Sequence, residues 1–139
     1  MPLRSTVTLL VRGDAGYAGG PDLPLHDRFF LGGSVPSTVW ASQFVPFLGL
    51  DPQSAQGMVV AAARAGLRAE PRDNLFLTFE GNLGNVFDKW PASPRHGEYL
   101  TGIGVSVGTM LAPGPLSVSF GTRSLRQTPV IEIAFGAVF

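Results

Sequence analysis

The sequence predicts an all-β chain that folds as an antiparallel transmembrane β-barrel, and three observations support this fold class. Apolar and polar residues alternate with period 2 along several segments, as they do in strands with two different faces. Only 14% of the residues are charged, against about 25% in an average soluble domain. The 18 Gly and 12 Pro are spread along the chain, which favours turn-rich β structure over disorder.

Length and composition limit the alternatives. The chain of 139 residues is predicted to be a single domain over residues 1–139. Its apolar runs are far shorter than the ~18 residues that a transmembrane helix needs. The formal net charge is zero, so no nucleic-acid partner is expected. Residues 1–14 lack an export signal, so for an exported protein we expect this numbering to begin after a removed segment or within a longer chain.

The alternation is clearest in five segments, and the last of them ends on the aromatic residue Phe139. In each segment one face is apolar, and the other holds mainly Gly, Ser, Thr and Ala with scattered Arg and Glu. A barrel strand turns alternate residues toward lipid and lumen, so each segment is interpreted as one strand. The apolar positions are Leu3, Val7, Leu9 and Val11; Leu75, Leu77, Phe79 and Leu83; Ile103, Val105, Val107 and Leu111; Leu116, Val118 and Phe120; and Ile131, Ile133, Phe135, Ala137 and Phe139.

Two stretches allow more than one interpretation. Residues 58–69 alternate like a strand, but the Ala-rich run from Asp51 to Glu70 also fits a capped helix. We predict a sixth strand there because the neighbouring segments are strands. Residues 17–57 form a connection rich in Pro and aromatic residues, and a connection of this length suggests a function. A hairpin formed near Phe29–Leu31 and Thr38–Phe44 would raise the strand count to eight.

The face opposite the apolar one favours a membrane wall over a soluble β-sandwich. A sandwich also alternates, but its outer face usually presents Lys and Glu to water, and Lys is rare in this chain. A lumen wall holds small residues and paired charges instead. Aromatic residues such as Trp90 and Tyr99 suit an interfacial girdle. A soluble β-sandwich that serves as a binding module remains the alternative.

Four segments resemble the bacterial surface-antigen barrels, a superfamily that includes the outer-membrane assembly barrel and the two-partner-secretion transporters. The stretch His26–Ser34 is similar to the family's RFFLGG motif, and Asn82–Phe87 to its D-x-G-N-x-[WF] stretch. Gly104–Pro115 resembles the penultimate hairpin, and the strand ending in Phe139 resembles the last one. The resemblance covers nearly the whole chain and is nearest to the patatin-like autotransporter branch.

The resemblance implies a fold and a function. Its members form barrels of sixteen strands, so this chain would be the C-terminal part of the barrel, and residues 17–57 would be the loop that folds back into the lumen. The implied location is the bacterial outer membrane, and the implied activity is protein transport or membrane insertion. The implied partners are outer-membrane lipids, a polypeptide client and the barrel-assembly machinery. The last strand would carry the assembly signal, formed by Ile131, Ile133, Phe135 and Phe139.

Two departures from the family concern the contact between loop and wall. The family's loop carries a V-R-G tip after the double Gly, whereas this chain has Val35–Trp40 without an Arg. The inner-wall Asp that meets that Arg in the family aligns with Asn82. The contact between the loop Arg and the wall Asp, which holds the loop in the family, therefore cannot be carried over residue by residue onto this chain.

Six strands are too few for a closed barrel, since single-chain bacterial barrels begin at eight. Either the loop supplies two more strands, or the chain is half of a larger barrel, or several chains form a composite one. We predict a homodimer or another homo-oligomer. The alternative function is a small homo-oligomeric barrel, structural or lipid-binding, that has no translocated client.

The candidate site residues lie in the loop and on the polar faces of the strands. The loop candidates are Arg28, Phe29, Phe30, Gly32 and Gly33, and the lumen candidates are Arg64, Arg68, Glu80, Asn82, Arg123 and Glu132. We expect the two glutamates to balance the lumen arginines, because buried charges must be paired. Arg28 has two open interpretations, an anchor of the loop to a lumen acid or a solvated arginine.

Catalytic chemistry is not expected. Gly104–Gly108 matches the G-x-S-x-G nucleophile elbow, but that motif requires a turn followed by a helix, and here it lies inside an alternating strand. Both His26 and His96 precede Ser106, and each lacks a second ligand at metal spacing. The chain has no Cys. We therefore predict no enzyme activity, no metal and no cofactor.

Overall fold

The computed structural model describes residues 6–20, 24–34, 43–89, 98–124 and 128–136. Over this part of the chain the protein is built from strands, with one short 3-10 helix at Leu25–Asp27. No helix within these ranges is long and apolar enough to cross a membrane. The strands are β1 Thr6–Tyr17, β2 Phe29–Leu31, β3 Phe44–Val45, β4 Ala55–Gly57, β5 Val59–Arg72, β6 Leu75–Phe87, β7 Leu100–Leu111, β8 Gly114–Thr122 and β9 Val130–Phe135.

Six long strands form one antiparallel sheet in the order β1-β5-β6-β7-β8-β9, called the wall below. The all-β, antiparallel fold class is thus confirmed. The ambiguous residues 58–69 lie almost entirely in β5, which settles them as a strand. Strands β1 and β9 are the two edges of this sheet, and they are not hydrogen-bonded to each other in the described part of the chain. The wall is therefore an open sheet.

The register of the wall aligns apolar residues in rows on one face, called the outer face. One row crosses all six strands, and its members are 38–67% exposed. A parallel row behind it holds Val7, Leu77, Val107 and Ile133. The described residues leave this face uncovered, whereas soluble monomers rarely expose apolar patches of such extent. The six-strand row is Leu9, Leu67, Phe79, Val105, Phe120 and Ile131.

The connection between β1 and β5 folds onto the opposite, inner face, as predicted for a loop at about 17–57. Its short strands form a separate sheet in the order β3-β2-β4. The predicted hairpin does not form, because Phe30 of β2 pairs with Phe44 in parallel and with Gln56 in antiparallel. Residues 38–42 lie outside the described residues. The short strands do not join the wall, which over the described ranges has six strands rather than eight.

The apolar core lies between this loop and the inner face. Leu31, Val45, Phe47 and Leu50 of the loop pack together with Val60 of β5. Phe47 and Leu31 are fully buried. Hence the wall obtains its buried core from its own loop, and from one face only.

The two ends of the wall differ in the length of their connections. At one end, called the turn end, the pairs Arg72–Leu75 and Leu111–Gly114 close tight hairpins. Met110 also donates its backbone N–H to Asn74 O across this end, at 3.2 Å. At the other end, called the loop end, the connections span residues 18–58, 88–99 and 123–129. All long connections thus leave the wall on one side.

Candidate functional site on the inner face

The double glycine of the loop organises the loop's own backbone. Gly32 and Gly33 have φ angles of 128° and 80°, a region that favours glycine. The N–H of Gly33 donates to Leu50 O at 3.0 Å, and its carbonyl accepts the N–H of Phe47 at 2.8 Å. These bonds hold both arms of the loop together. Gly32 and Gly33 were predicted as loop candidates from the resemblance, and in the structure they shape the backbone of the loop.

Three glycines of the wall form the surface on which the loop lies. Gly102 and Gly104 of β7 and Gly121 of β8, called the glycine seat, face the segment Leu48–Gly49. A Cβ atom on Gly104 would lie 2.7 Å from Leu48 Cδ1. A Cβ on Gly102 would clash with Leu48 O, and one on Gly121 with Gly49 N. The absence of side chains in the glycine seat therefore permits contact between loop and wall backbones.

Polar contacts fix the loop at the edges of this seat. Asn82 of β6 donates from Nδ2 to Leu48 O at 3.0 Å, in a buried position. On the other side, Glu132 of β9 accepts the N–H of Ser34 through Oε2 at 2.6 Å. Ser119 of β8 donates from Oγ to Ser34 Oγ at 3.2 Å. The loop is thus bonded to three wall strands, and two of these contacts use the predicted candidates Asn82 and Glu132.

The predicted charge pairing holds for one pair. Arg64 Nη1 lies 3.6 Å from Glu80 Oε2, and both side chains are largely buried on the inner face. Arg68 donates from Nε to Thr78 Oγ1 at 3.4 Å, and its guanidinium lies 5.8 Å from the centre of the Phe76 ring. Glu132, expected to balance an arginine, accepts a backbone amide of the loop instead.

The remaining candidates lie apart from these contacts. Arg123 follows the last residue of β8 at the loop end and is exposed, so it does not join the inner-face charges. Arg28 is partly buried, and its Nε has no hydrogen-bond partner within the described ranges. Phe29 packs over Gly16 of β1, and Phe30 pairs with its neighbours in the loop sheet.

The proposed assembly signal is only partly described. Ile131, Ile133 and Phe135 project from the outer face of β9 and are 58%, 72% and 61% exposed. Phe139 lies outside the described residues.

A cavity of about 680 Å³ lies between the loop and the turn-end half of the inner face. Its charged lining is Arg12, Arg64, Arg68 and Glu80. Sequence reasoning missed Arg12, although it stands on the polar face of β1. It also missed the glycine seat, whose only sequence sign is Gly at alternate positions in β7. Hydroxyl groups add to the lining, from Ser34, Thr78, Ser106, Ser117 and Ser119.

The residues that suggested catalysis are dispersed. Ser106 stands in the middle of strand β7, without the turn that a nucleophile elbow requires. His26 is exposed, and its Nε2 lies 3.6 Å from Asp27 Oδ2 of its sequence neighbour. His96 lies outside the described residues. Among the residues that are described, no group of His, Cys, Asp and Glu is arranged to hold a metal ion.

Comparison with protein-family models, with curated proteins and with solved structures finds no match to this chain. The resemblance to the surface-antigen barrels therefore stays a prediction from the sequence motifs.

Gly121→Ala is expected to displace the loop, because the new methyl group meets Gly49 N of the loop backbone. Overpacking of this kind costs about 1–3 kcal/mol. Urea unfolding measures the free energy, and limited proteolysis measures access to the loop. Gly81→Ala is the matched control, since its Cβ would lie in ordinary van der Waals contact, 3.9 Å from Gly102 O. Equal stability of the two variants would contradict the role of the seat.

Asn82→Asp restores the residue type of the family that the chain resembles, and it is expected to destabilise this protein. A carboxylate cannot donate to Leu48 O, so a buried carbonyl loses its partner, at a cost of about 1–3 kcal/mol. The control is Asn85→Asp, which removes an exposed hydrogen bond from Nδ2 to Glu98 O and should cost much less. Unchanged unfolding of Asn82→Asp would show that the contact does not hold the loop.

Proposed function

We propose that this chain forms part of the wall of a bacterial outer-membrane β-barrel of the kind that transports or inserts polypeptides. The observation that carries the proposal is the polarity of the wall. Apolar rows cross its outer face, which the described residues leave uncovered, while its inner face binds the loop and carries the Arg64–Glu80 pair. Lipid is the environment that stabilises such an outer face.

The backbone supports the same environment. Within the wall, neighbouring strands satisfy each other's N–H and C=O groups over lengths of 6 to 14 residues. Only closed barrels and helices satisfy the backbone in lipid, so the edges β1 and β9 require partner strands. The long connections at one end and tight turns at the other match the extracellular loops and periplasmic turns of outer-membrane barrels. On this proposal the loop end faces outward.

The size of the loop argues for a barrel of more than eight strands. The interior of an eight-stranded barrel is wide enough for side chains or for one small ligand, but not for a folded segment of chain. Here the inner face carries a folded segment with its own three-stranded sheet and buried core. The closed barrel that we propose therefore combines this wall with further strands.

A second candidate function, a homo-oligomeric barrel without a polypeptide client, is favoured by the directions of the edges. The wall has an even number of antiparallel strands, so β1 and β9 run in opposite directions. A second copy, rotated about the barrel axis, would place its β1 antiparallel to β9. Two copies would give twelve strands with antiparallel pairing throughout. The homodimer predicted from the sequence is compatible with this geometry.

Transport itself rests on the family resemblance and on the loop inside the lumen. The partners that we propose are outer-membrane lipids at the apolar rows, a polypeptide client in the lumen, and the barrel-assembly machinery at the last strand. That machinery would contact Ile131, Ile133 and Phe135, which are exposed on the edge strand β9.

Migration on SDS gels, before and after boiling, tests the barrel. After refolding in detergent, the protein is expected to stay folded in cold SDS and to shift on heating, because a closed ladder has no edge from which to unfold. A cold band at dimer size would support the two-copy barrel. A protein that shows no shift and dissolves in plain buffer would overturn the membrane wall.

Uptake into lipid vesicles separates the two candidate functions. Vesicles that contain the refolded protein are expected to admit an unfolded polypeptide and to exclude the same polypeptide when it is folded. Empty vesicles serve as the control. If the protein shows the gel shift on heating but its vesicles admit neither the unfolded nor the folded polypeptide, transport is refuted and the barrel without a client is favoured.

A further inference from the structure

The loop and the cavity divide the inner face between them. On β7 the glycine seat lies at Gly102 and Gly104, while Ser106 lines the cavity. On β6, Asn82 binds the loop, and Thr78 and Glu80 line the cavity. Thus the loop occupies the loop-end half of the inner face, and the cavity occupies the turn-end half.

The charges of this cavity are concentrated on two neighbouring strands. Arg12 of β1 is the direct register partner of Arg64 of β5, and Arg68 stands on the same face of β5. Like charges that face each other across a ladder repel, so their position here requires compensating anions. The lining supplies one carboxylate, Glu80, against three guanidinium groups.

Asp14 and Glu80 neutralise the arginine charges to different degrees. Asp14 binds Arg12 through two oxygens, with nitrogen–oxygen distances of 2.8–3.0 Å. Glu80 lies 3.6 Å from Arg64, which is longer than the ~2.7–2.9 Å of a charge-assisted hydrogen bond.

Glu70 also stands on the inner face of β5, two residues beyond Arg68, and accepts the N–H of Asn74 at the turn end. Among the described residues, the cavity lining itself therefore holds three guanidinium groups and one carboxylate, with Asp14 and Glu70 beside it. Glu132, which binds the loop, lies across the sheet on β9.

We propose that this arginine-lined cavity binds and concentrates small anionic solutes such as carboxylates and sulfonates. Guanidinium groups are forked donors that match such anions. The hydroxyl groups of Thr78 and Ser106 add uncharged donors to the same lining. A cleft lined mainly by one sign of charge raises the local concentration of the opposite ion. This inference rests on the proposed function, since it treats the inner face as an aqueous lumen.

Leu10 and Leu9 are a matched pair of positions for the test. Leu10 lines the cavity, and its register partner Gly66 has Arg64 and Arg68 on either side along the same face of β5. Leu9 is the preceding residue and points to the outer face, where it is 67% exposed. The chain has no Cys, so Leu10→Cys and Leu9→Cys each introduce the sole thiol.

The experiment measures thiol modification of both variants in lipid vesicles, by an anionic sulfonate and a cationic trimethylammonium methanethiosulfonate reagent. Each rate is divided by that of free mercaptoethanol, which removes the intrinsic difference between the reagents. For Leu10→Cys we expect a several-fold preference for the anionic reagent, decreasing as salt screens the attraction. Leu9→Cys should react slowly with both reagents, because lipid covers it.

Charge variants in the Leu10→Cys background establish the cause. Arg64→Gln should reduce the preference, Arg64→Lys should retain it, and Glu80→Gln should increase it. The cold-SDS migration of each variant identifies any that fails to fold. Arg64→Lys replaces the same side chain but keeps its charge, so it separates the effect of charge from the effect of the substitution itself. No preference, or a cationic one, in Leu10→Cys would overturn the anion site even when Leu9→Cys is protected. Rapid modification of Leu9→Cys would instead overturn the membrane wall.

Discussion

The contact between the Leu48–Gly49 segment and the glycine seat is the constraint on which the rest of the structure depends. The described residues leave the outer face of the wall uncovered, and the apolar core that they form is the cluster around Phe47 and Leu31 on the inner face. That cluster exists because the loop approaches the wall closely enough to exclude water. Side chains at the seat positions would separate the two backbones and remove the cover from Val60 of the wall.

The usual distribution of polarity is reversed over most of the wall. In a soluble antiparallel sheet, the apolar face packs on the core and the polar face meets water. Here the row through Phe79 and Phe120 faces outward, and the charged pair Arg64–Glu80 faces the loop and the cavity. The inner face is therefore partly a protein interior, where the loop lies, and partly a polar surface, where the cavity lies. A lipid surround on one side and water on the other would satisfy both faces without a second layer of protein.

The sequence predicted the long strands well, because period-2 alternation over ten residues distinguishes a two-faced strand from other structures. It also placed Glu80 and Arg64 among the lumen charges expected to balance one another, since charges on a small-residue face need partners, although it did not single out this pair. The parallel pairing of Phe44–Val45 with β2 was not predictable, because two residues carry no periodicity. The glycine seat was missed for another reason. A glycine in a strand indicates a close approach, but it does not identify the segment that approaches.

The change of residue at Asn82 and the absence of the Arg at the loop tip have a common physical consequence. The resemblance predicted from the sequence motifs would imply an ion pair between loop and wall that holds the loop. Here the described contacts are an amide-to-carbonyl hydrogen bond at Asn82, backbone packing on the glycine seat, and an amide-to-carboxylate bond at Glu132. Contacts of the first two kinds carry no net charge, so salt does not screen them. The loop can then be held without drawing on the wall arginines. This leaves the charges of β1 and β5 to set the electrostatic character of the cavity beside it.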